Sequence, residues 1–442
     1  MKVLWICNLA FPEAAEQLHI EVSNKEGWVS GLMHALYSSD DAQGLELQVA
    51  FPGPEECLDE DGICVGVAQV MGREIPYYGF YEEVTCPEQY DMRTNRALEK
   101  VFALSKPDVI HCFGTEYPHA LAAVQMVPDK ERFLLGIQGL CGPIAESYYA
   151  DLPQKVVKAK TFRDILRRDN IEKQAEKFRK RGANEEQALR MTHNITGRTA
   201  WDKEYALKCN PDAEYFSVNE TLRGCFYTDT WRADSCTPHR IFVSQGDYPL
   251  KGLHYMLCAM PGILEHYPDA TLVVAGNSLV SYGTWKEKLK ISGYGKYLRS
   301  LIKEHGLQDR VTFKGKLTAE EMMETCLSSH VFVCCSALEN SSNSLGEAML
   351  LGMPCISADV GGLPTVMQAG EGIMYEGHRP GTEDLAGVSN RLKEAVLRMW
   401  QEDGTAYGLR AREHALRTHD REENCRQLLE VYRKIMEKGK EG

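Results

Sequence analysis

A chain of 442 residues is too long for one hydrophobic core and asks for two or three domains. Hydrophobic residues at 43 % and charged ones at 26 % exclude wholesale disorder. A formal charge of −13 speaks against a nucleic-acid binder held by phosphate contacts, so no nucleic acid is expected as a partner.

The opening, MKVLWICNLAFPEAAEQ, has one Lys and an apolar run broken at Asn8. Neither a secretion signal nor an anchor is expected there, and no later stretch approaches the roughly 20 apolar residues of a spanning helix. KVLWIC begins a series of short β-branched runs continued by LELQVAF, DVIHCF and RFLLGI, with a helix marked by Trp28, Leu32 and Leu36 after the first. Asp59-Glu60-Asp61 spells D-x-D, but the flanking EECL and GICV suggest a turn between strands, and no metal is expected. His111 and His119 bracket the loop CFGTEYP after DVIHCF and are candidates for an acceptor pocket by the strand-end rule, or else half-buried structural histidines. Residues 155–190 carry twelve Lys or Arg against six Asp or Glu, a net +6 that leaves −19 for the rest. Such a segment reads as a solvated helical excursion or as a surface meeting an anionic membrane or lipid phosphate. In ITGRTAWDKEYAL, Arg198 beside Trp201 suits a grip on a phosphate or sugar, and a helix start capped by Thr199 suits the same residues.

The polar stretch YTDTWRADSCTPHR divides this series from a second one: IFVSQ, TLVVAG, VTFKG, HVFVCCS and PCISADV, with a clear helix at Leu253, Met256, Leu257, Met260 and Leu264. Strands alternating with helices imply parallel sheets of βαβ units. After Met399 the pattern is helical, and Leu428, Leu429, Tyr432, Ile435 and Met436 form one apolar stripe. The expected organisation is a Rossmann-like domain over 1–238 with a basic helical insertion near 155–190, a second Rossmann-like domain over 239–400, and terminal helices over 401–442, the last docking across the domains. Fifteen cysteines without CxxC pairs or histidines at zinc spacing read as free thiols of the cytosol.

SALENSSNSLGEAMLLGMPCISADVGG, residues 336–362, sets Glu339 at the carboxyl end of a strand and Glu347 in the first turns of a helix closed by Gly352. Strand ends and helix N-termini converge there in an open parallel sheet, and NSSNS supplies hydroxyls, amides and backbone N–H groups suited to phosphate oxygens. Carboxylates cannot favour a phosphate, so their task is to accept hydrogen bonds from sugar or ribose hydroxyls. Taken singly, each Glu reads equally as a helix-start acid or a solvated loop residue. GYGK at 293–296 lacks a third glycine and follows no strand, against a dinucleotide oxidoreductase.

Taken together, the stretch resembles the E-x7-E signature of the retaining glycosyltransferases of family four, and FVSQGDYPLKGLHYMLCAMPGILEHYPDATLVVAG and RVTFKGKLTAEEM resemble that family's donor domain. The resemblance covers most of residues 240–435 and extends more loosely to the N-terminal half. It implies the GT-B fold, two Rossmann-like parallel-sheet domains facing a cleft with a C-terminal helix crossing back to the N-terminal domain. It also implies transfer of a hexose from a nucleotide-diphosphate sugar to a glycan or lipid-linked acceptor, with no cofactor or metal. Lys251 would neutralise the donor diphosphate, Glu339 would hold the transferred sugar and Glu347 the ribose. The backbone at Asn343, Ser344, Leu345 and Gly346 would meet the β-phosphate beside Gly252 of the KG pair. Gly27 would let the N-terminal domain approach the phosphates. Gly246 stands where many relatives have Arg, and Gln138, which can hydrogen-bond but not transfer protons at neutral pH, where many have a sugar-contacting His. The competing readings are another GT-B enzyme, an epimerase or phosphorylase, and a catalytically silent nucleotide-sugar-binding protein. The protein is expected in the cytoplasm, peripheral at the inner face of the membrane if the basic segment meets lipid.

Overall fold

The computed structural model describes residues 1–20, 27–277 and 289–441. Its residues form two compact units. The first comprises Met1–Gly142, Lys177–Thr221 and His419–Gly442, and the second Pro143–Glu176 and Leu222–Thr418.

The first unit is built on eight strands: β1 (Lys2–Ile6), β2 (Glu46–Pro52), β3 (Ile63–Val70), β4 (Arg73–Phe80), β5 (Val109–Phe113), β6 (Phe133–Gly136), β7 (Asn194–Gly197) and β8 (Glu214–Ser217). Their order is β3-β4-β2-β1-β5-β6-β7-β8. All pairs are parallel except β3 with β4. That hairpin turns at Met71 and Gly72, both at positive φ, and its strand β3 alternates buried with exposed residues as an edge strand does. The inner runs are apolar throughout because helices cover both faces. Trp5, Val49 and Tyr432 pack on one face, and Leu4, Ala97 and Phe133 on the other.

The second unit holds β9 (Thr237–Val243), β10 (Thr271–Ala275), β11 (Val311–Gly315), β12 (Ser329–Cys334), β13 (Cys355–Asp359) and β14 (Ile373–Glu376). They form a wholly parallel sheet in the order β11-β10-β9-β12-β13-β14. The chain lays β9, β10 and β11 outward in one direction and then returns to place β12 on the other side of β9. That reversal is a topological switch point, where ligands bind in open α/β sheets.

The units do not follow the expected boundaries at 238 and 400. Residues 222–238 lie with the second unit because Trp231 ties them there, its N–H donating to Leu351 O at 2.7 Å and its indole N–H to Ser329 O at 2.8 Å. Residues 143–176, expected in the first domain, also lie in the second. His254 Nε2 donates to Ala150 O at 2.7 Å, Tyr255 to Asp151 at 2.9 Å, and the Gly293 N–H to Asp164 at 2.9 Å. The basic segment is therefore divided, within the helix Ile171–Met191. The last helix, Arg421–Glu441, belongs to the first unit.

Candidate active site

In the second unit the switch point carries the two glutamates. The loop after β9 ends in Tyr248-Pro249-Leu250-Lys251-Gly252, and Gly252 has φ +69° with the place of a Cβ only 1.8 Å from Cys335 O. A side chain there would collide with the end of β12, so glycine lets the two loops touch. Ala337 N–H seals the contact by donating to Leu250 O at 2.7 Å. Lys251 Nζ consequently reaches Glu339 Oε2 at 2.6 Å, with Ser336 Oγ donating to the same oxygen at 3.4 Å. Burial opposes the Lys251 charge, but the Glu339 carboxylate outweighs it and drives the ammonium pKa well up, so the amine stays charged.

The helix Asn343–Leu350 starts behind an N-cap at Ser342, whose Oγ accepts from Leu345 N–H at 3.3 Å. Ser344 Oγ accepts from Ser244 Oγ at 2.8 Å, tying the helix start to the end of β9. The first-turn N–H groups of such a helix aim outward at the same crevice. Gly352 ends this element at φ +71°. Glu347 is buried, and Arg223 grips it bidentately through Nε at 2.6 Å and Nη2 at 2.7 Å. Burial pushes the Glu347 carboxyl pKa up, and Arg223 works against that. Arg223 is a residue the sequence reading missed. Its only signal was an arginine four residues before the polar stretch that precedes the second strand series. Gly246 packs on Leu253, whose Cδ2 lies 2.4 Å from the place a Cβ would take.

The first unit has a cavity of about 70 Å³ at the carboxyl ends of β5, β6 and β7. His111, Gln138 and Arg198 all line it, with Thr196, Glu220 and Asn424. Trp5 Nε1–H donates to the Tyr432 hydroxyl at 2.9 Å, and that hydroxyl faces His111 Nδ1 at 2.7 Å. Accepting from Trp5 leaves the Tyr432 hydroxyl able to donate to the ring or to accept from it. Burial pushes the His111 pKa down to about 3, and the ring is neutral. Its Nε2 and the Thr196 Oγ1 have no partner among the described residues. Arg198 pairs with Glu220 at 2.7 Å and donates to Gln138 O at 3.3 Å. The loop that carries Gln138 is clamped by two carboxylates, one half-buried and one buried. Glu116 accepts from Gly139 N–H at 3.0 Å, and Glu185 accepts from Cys141 N–H at 3.0 Å and Gly142 N–H at 3.2 Å.

His119 does not join this cavity. It is fully buried, pairs with Glu82 at 2.9 Å, and is pushed up to about 10 where the Glu82 charge overcomes burial. Thr199 does cap the helix Ala200–Cys209 in a capping box with Asp202. Asp59 Oδ1 accepts from the N–H groups of Asp61 and Ile63, both at 3.0 Å, and so closes a turn. Gly27 is the first residue of the helix Gly27–Ser38, and Glu26 before it lies outside the described residues.

Two doubly wound parallel-sheet units define the fold of the GT-B glycosyltransferases. Sucrose-phosphate synthase from Thermosynechococcus elongatus superposes with a TM-score of 0.66 over 98 % of this chain and 98 % of that one, at 17 % identity. Residues 235–394, inside the second unit, match the family described as glycosyl transferases group 1. Among curated relatives, spore coat protein SA of Bacillus subtilis (strain 168) is 31 % identical over 123 residues, 28 % of this chain and 30 % of that one. D-inositol 3-phosphate glycosyltransferase of Rhodococcus erythropolis (strain PR4 / NBRC 100887) is 31 % identical over 155 residues, 34 % of this chain and 32 % of that one. The chain spans about a third of the length of these two relatives.

Proposed function

We propose that the protein is a retaining glycosyltransferase that moves a hexose from a nucleotide-diphosphate sugar to a glycan or lipid-linked acceptor without a metal ion. The observation that carries this reading is the Lys251–Glu339 pair at the switch point of the second sheet, beside the start of the helix Asn343–Leu350. The match of residues 235–394 to glycosyl transferases group 1 supports the same reading.

In this reading the donor diphosphate replaces Glu339 as the partner of Lys251, and the freed carboxylate accepts from hydroxyls of the transferred sugar. Asn343 and Ser344 offer backbone N–H groups to the β-phosphate. Arg223 occupies one acceptor position on each Glu347 oxygen, which leaves the others for the ribose hydroxyls. The leaving diphosphate stays on one face of the sugar while an oxocarbenium-like centre forms, and its oxygen takes the proton of the incoming hydroxyl. Lys251 and the helix-end amides stabilise the charge that develops on that leaving group. In the first unit the neutral ring of His111, with Arg198 and Glu220, receives the acceptor, and Gln138 hydrogen-bonds without transferring a proton.

The test is a thermal-shift screen of UDP-, GDP- and ADP-sugars, followed by assay of nucleoside diphosphate release and of the product's anomeric configuration by NMR. A stabilising donor whose effect weakens in Glu347→Gln, with the donor's configuration kept in the product, is the expected result. An inverted product removes the retaining mechanism. Transfer to inorganic phosphate would point instead to a phosphorylase.

A further inference from the structure

The short helix Phe162–Arg167 turns one side into the second unit and the other to solvent. Asp164 faces inward and is buried, accepting from Thr161 N–H at 3.0 Å and Gly293 N–H at 2.9 Å, while Arg163 bridges Asp164 and Asp169. With that side anchored, Phe162, Ile165 and Leu166, spaced i, i+3 and i+4, fall together on the opposite side. They are 58 %, 61 % and 68 % exposed, among the most exposed large apolar side chains described. Three such neighbours form a patch that a soluble surface does not ordinarily keep.

Around them Lys155, Lys158, Lys160, Arg167 and Arg168 are all exposed, and the one acid between 154 and 168 is the buried Asp164. The rest of the basic segment differs. In the helix Ile171–Met191, Lys173 pairs with Glu176, Lys177 with Glu88 and Arg190 with Glu186. The unneutralised charge is therefore concentrated where the apolar side chains are.

We propose that residues 154–168 dock the protein on an anionic lipid bilayer, with Phe162, Ile165 and Leu166 entering the headgroup and acyl boundary and the five cations meeting lipid phosphates. An apolar wedge inside a cationic rim is the arrangement that the interface of an anionic membrane favours. A helix of six residues offers too little area for a stable protein partner, which covers about 800 Å² per side. This docking stands apart from sugar transfer, since a protein without donor turnover would still bind vesicles.

The experiment is co-sedimentation of the full chain with phosphatidylcholine vesicles, alone or containing phosphatidylglycerol, at low and high salt. Binding is expected only to the anionic vesicles and is lost at high salt. The triple variant F162S/I165S/L166S and the charge variant K158Q/K160Q/R167Q/R168Q each weaken it by about tenfold or more. Both keep the wild-type melting curve, because the altered side chains are exposed. The proposal falls if the full chain stays in solution with anionic vesicles, or if the apolar variant binds as well as wild type, which would mark a general polyanion surface. It also falls if the apolar variant turns a dimer into a monomer in sedimentation equilibrium, which would make a second copy the occupant.

Discussion

The two strand-end crevices are built from the same kind of sheet and differ in the side chains they hold. In the second unit every carboxylate at the crevice has a cation, Glu339 with Lys251 and Glu347 with Arg223. In the first, a neutral histidine faces the tyrosine of the last helix, beside the Arg198–Glu220 pair. Paired charges suit a ligand that brings its own charge and can exchange partners with them. A neutral ring beside an unpartnered hydroxyl suits an uncharged ligand. The fold supplies the location in both cases, and a handful of side chains decides the chemistry.

The sharpest way to break this contrast is Lys251→Ala, which should cost about 2 to 4 kcal/mol of transition-state stabilisation, roughly 30- to 1,000-fold in turnover. Unchanged diphosphate release would move the reactive centre elsewhere. Next, Arg223→Ala strips the partner from the buried Glu347 and should destabilise the second unit by about 2 to 3 kcal/mol in urea unfolding. That is less than the 3–5 kcal/mol of a wholly buried pair because Arg223 remains partly exposed. Tyr432→Phe leaves the Trp5 N–H without its acceptor and should cost the first unit about 1 to 2 kcal/mol, with no change in the midpoint of donor binding.

The smallest effect is a slope. The folded His111 pKa of about 3 lies below the ordinary value of 6.5, so the unfolded chain binds the proton first. Its contribution to stability is complete above pH 6.5 and is lost as pH falls towards 3. His111→Gln should flatten the acid limb of the stability curve of the first unit in that window. A variant with the same acid limb as wild type would mean that the ring is charged, and the tyrosine would then accept from it.

Much of this was legible from the chain. The nine apolar runs are strands, the helix after Ser342 ends at Gly352, and the last apolar stripe is a buried helix face, because short β-branched runs, glycine at positive φ and a 3.6-residue period each have one cheap solution. Less regular strands escaped notice. The hairpin β3–β4 alternates and reads as surface, while NITG and EYFS are only four residues long. What stayed hidden were pairings between distant positions. Arg223 and Glu347 are 124 residues apart, and nothing local to either predicts the other. The clamp of Glu185 on the Gln138 loop escaped for the same reason, since a buried glutamate within a charged run looks like one more surface acid.

The bond from Trp5 to Tyr432 joins positions 427 apart in the chain. A ribosome makes the first strand long before the residue that completes its packing. The N-terminal sheet must wait, with its surface for that helix uncovered, while the whole of the other unit is synthesised and given time to fold. Loss of the helix Arg421–Glu441 would therefore damage the first strand, far from it in the chain, and nascent chains should need holding until that helix has emerged.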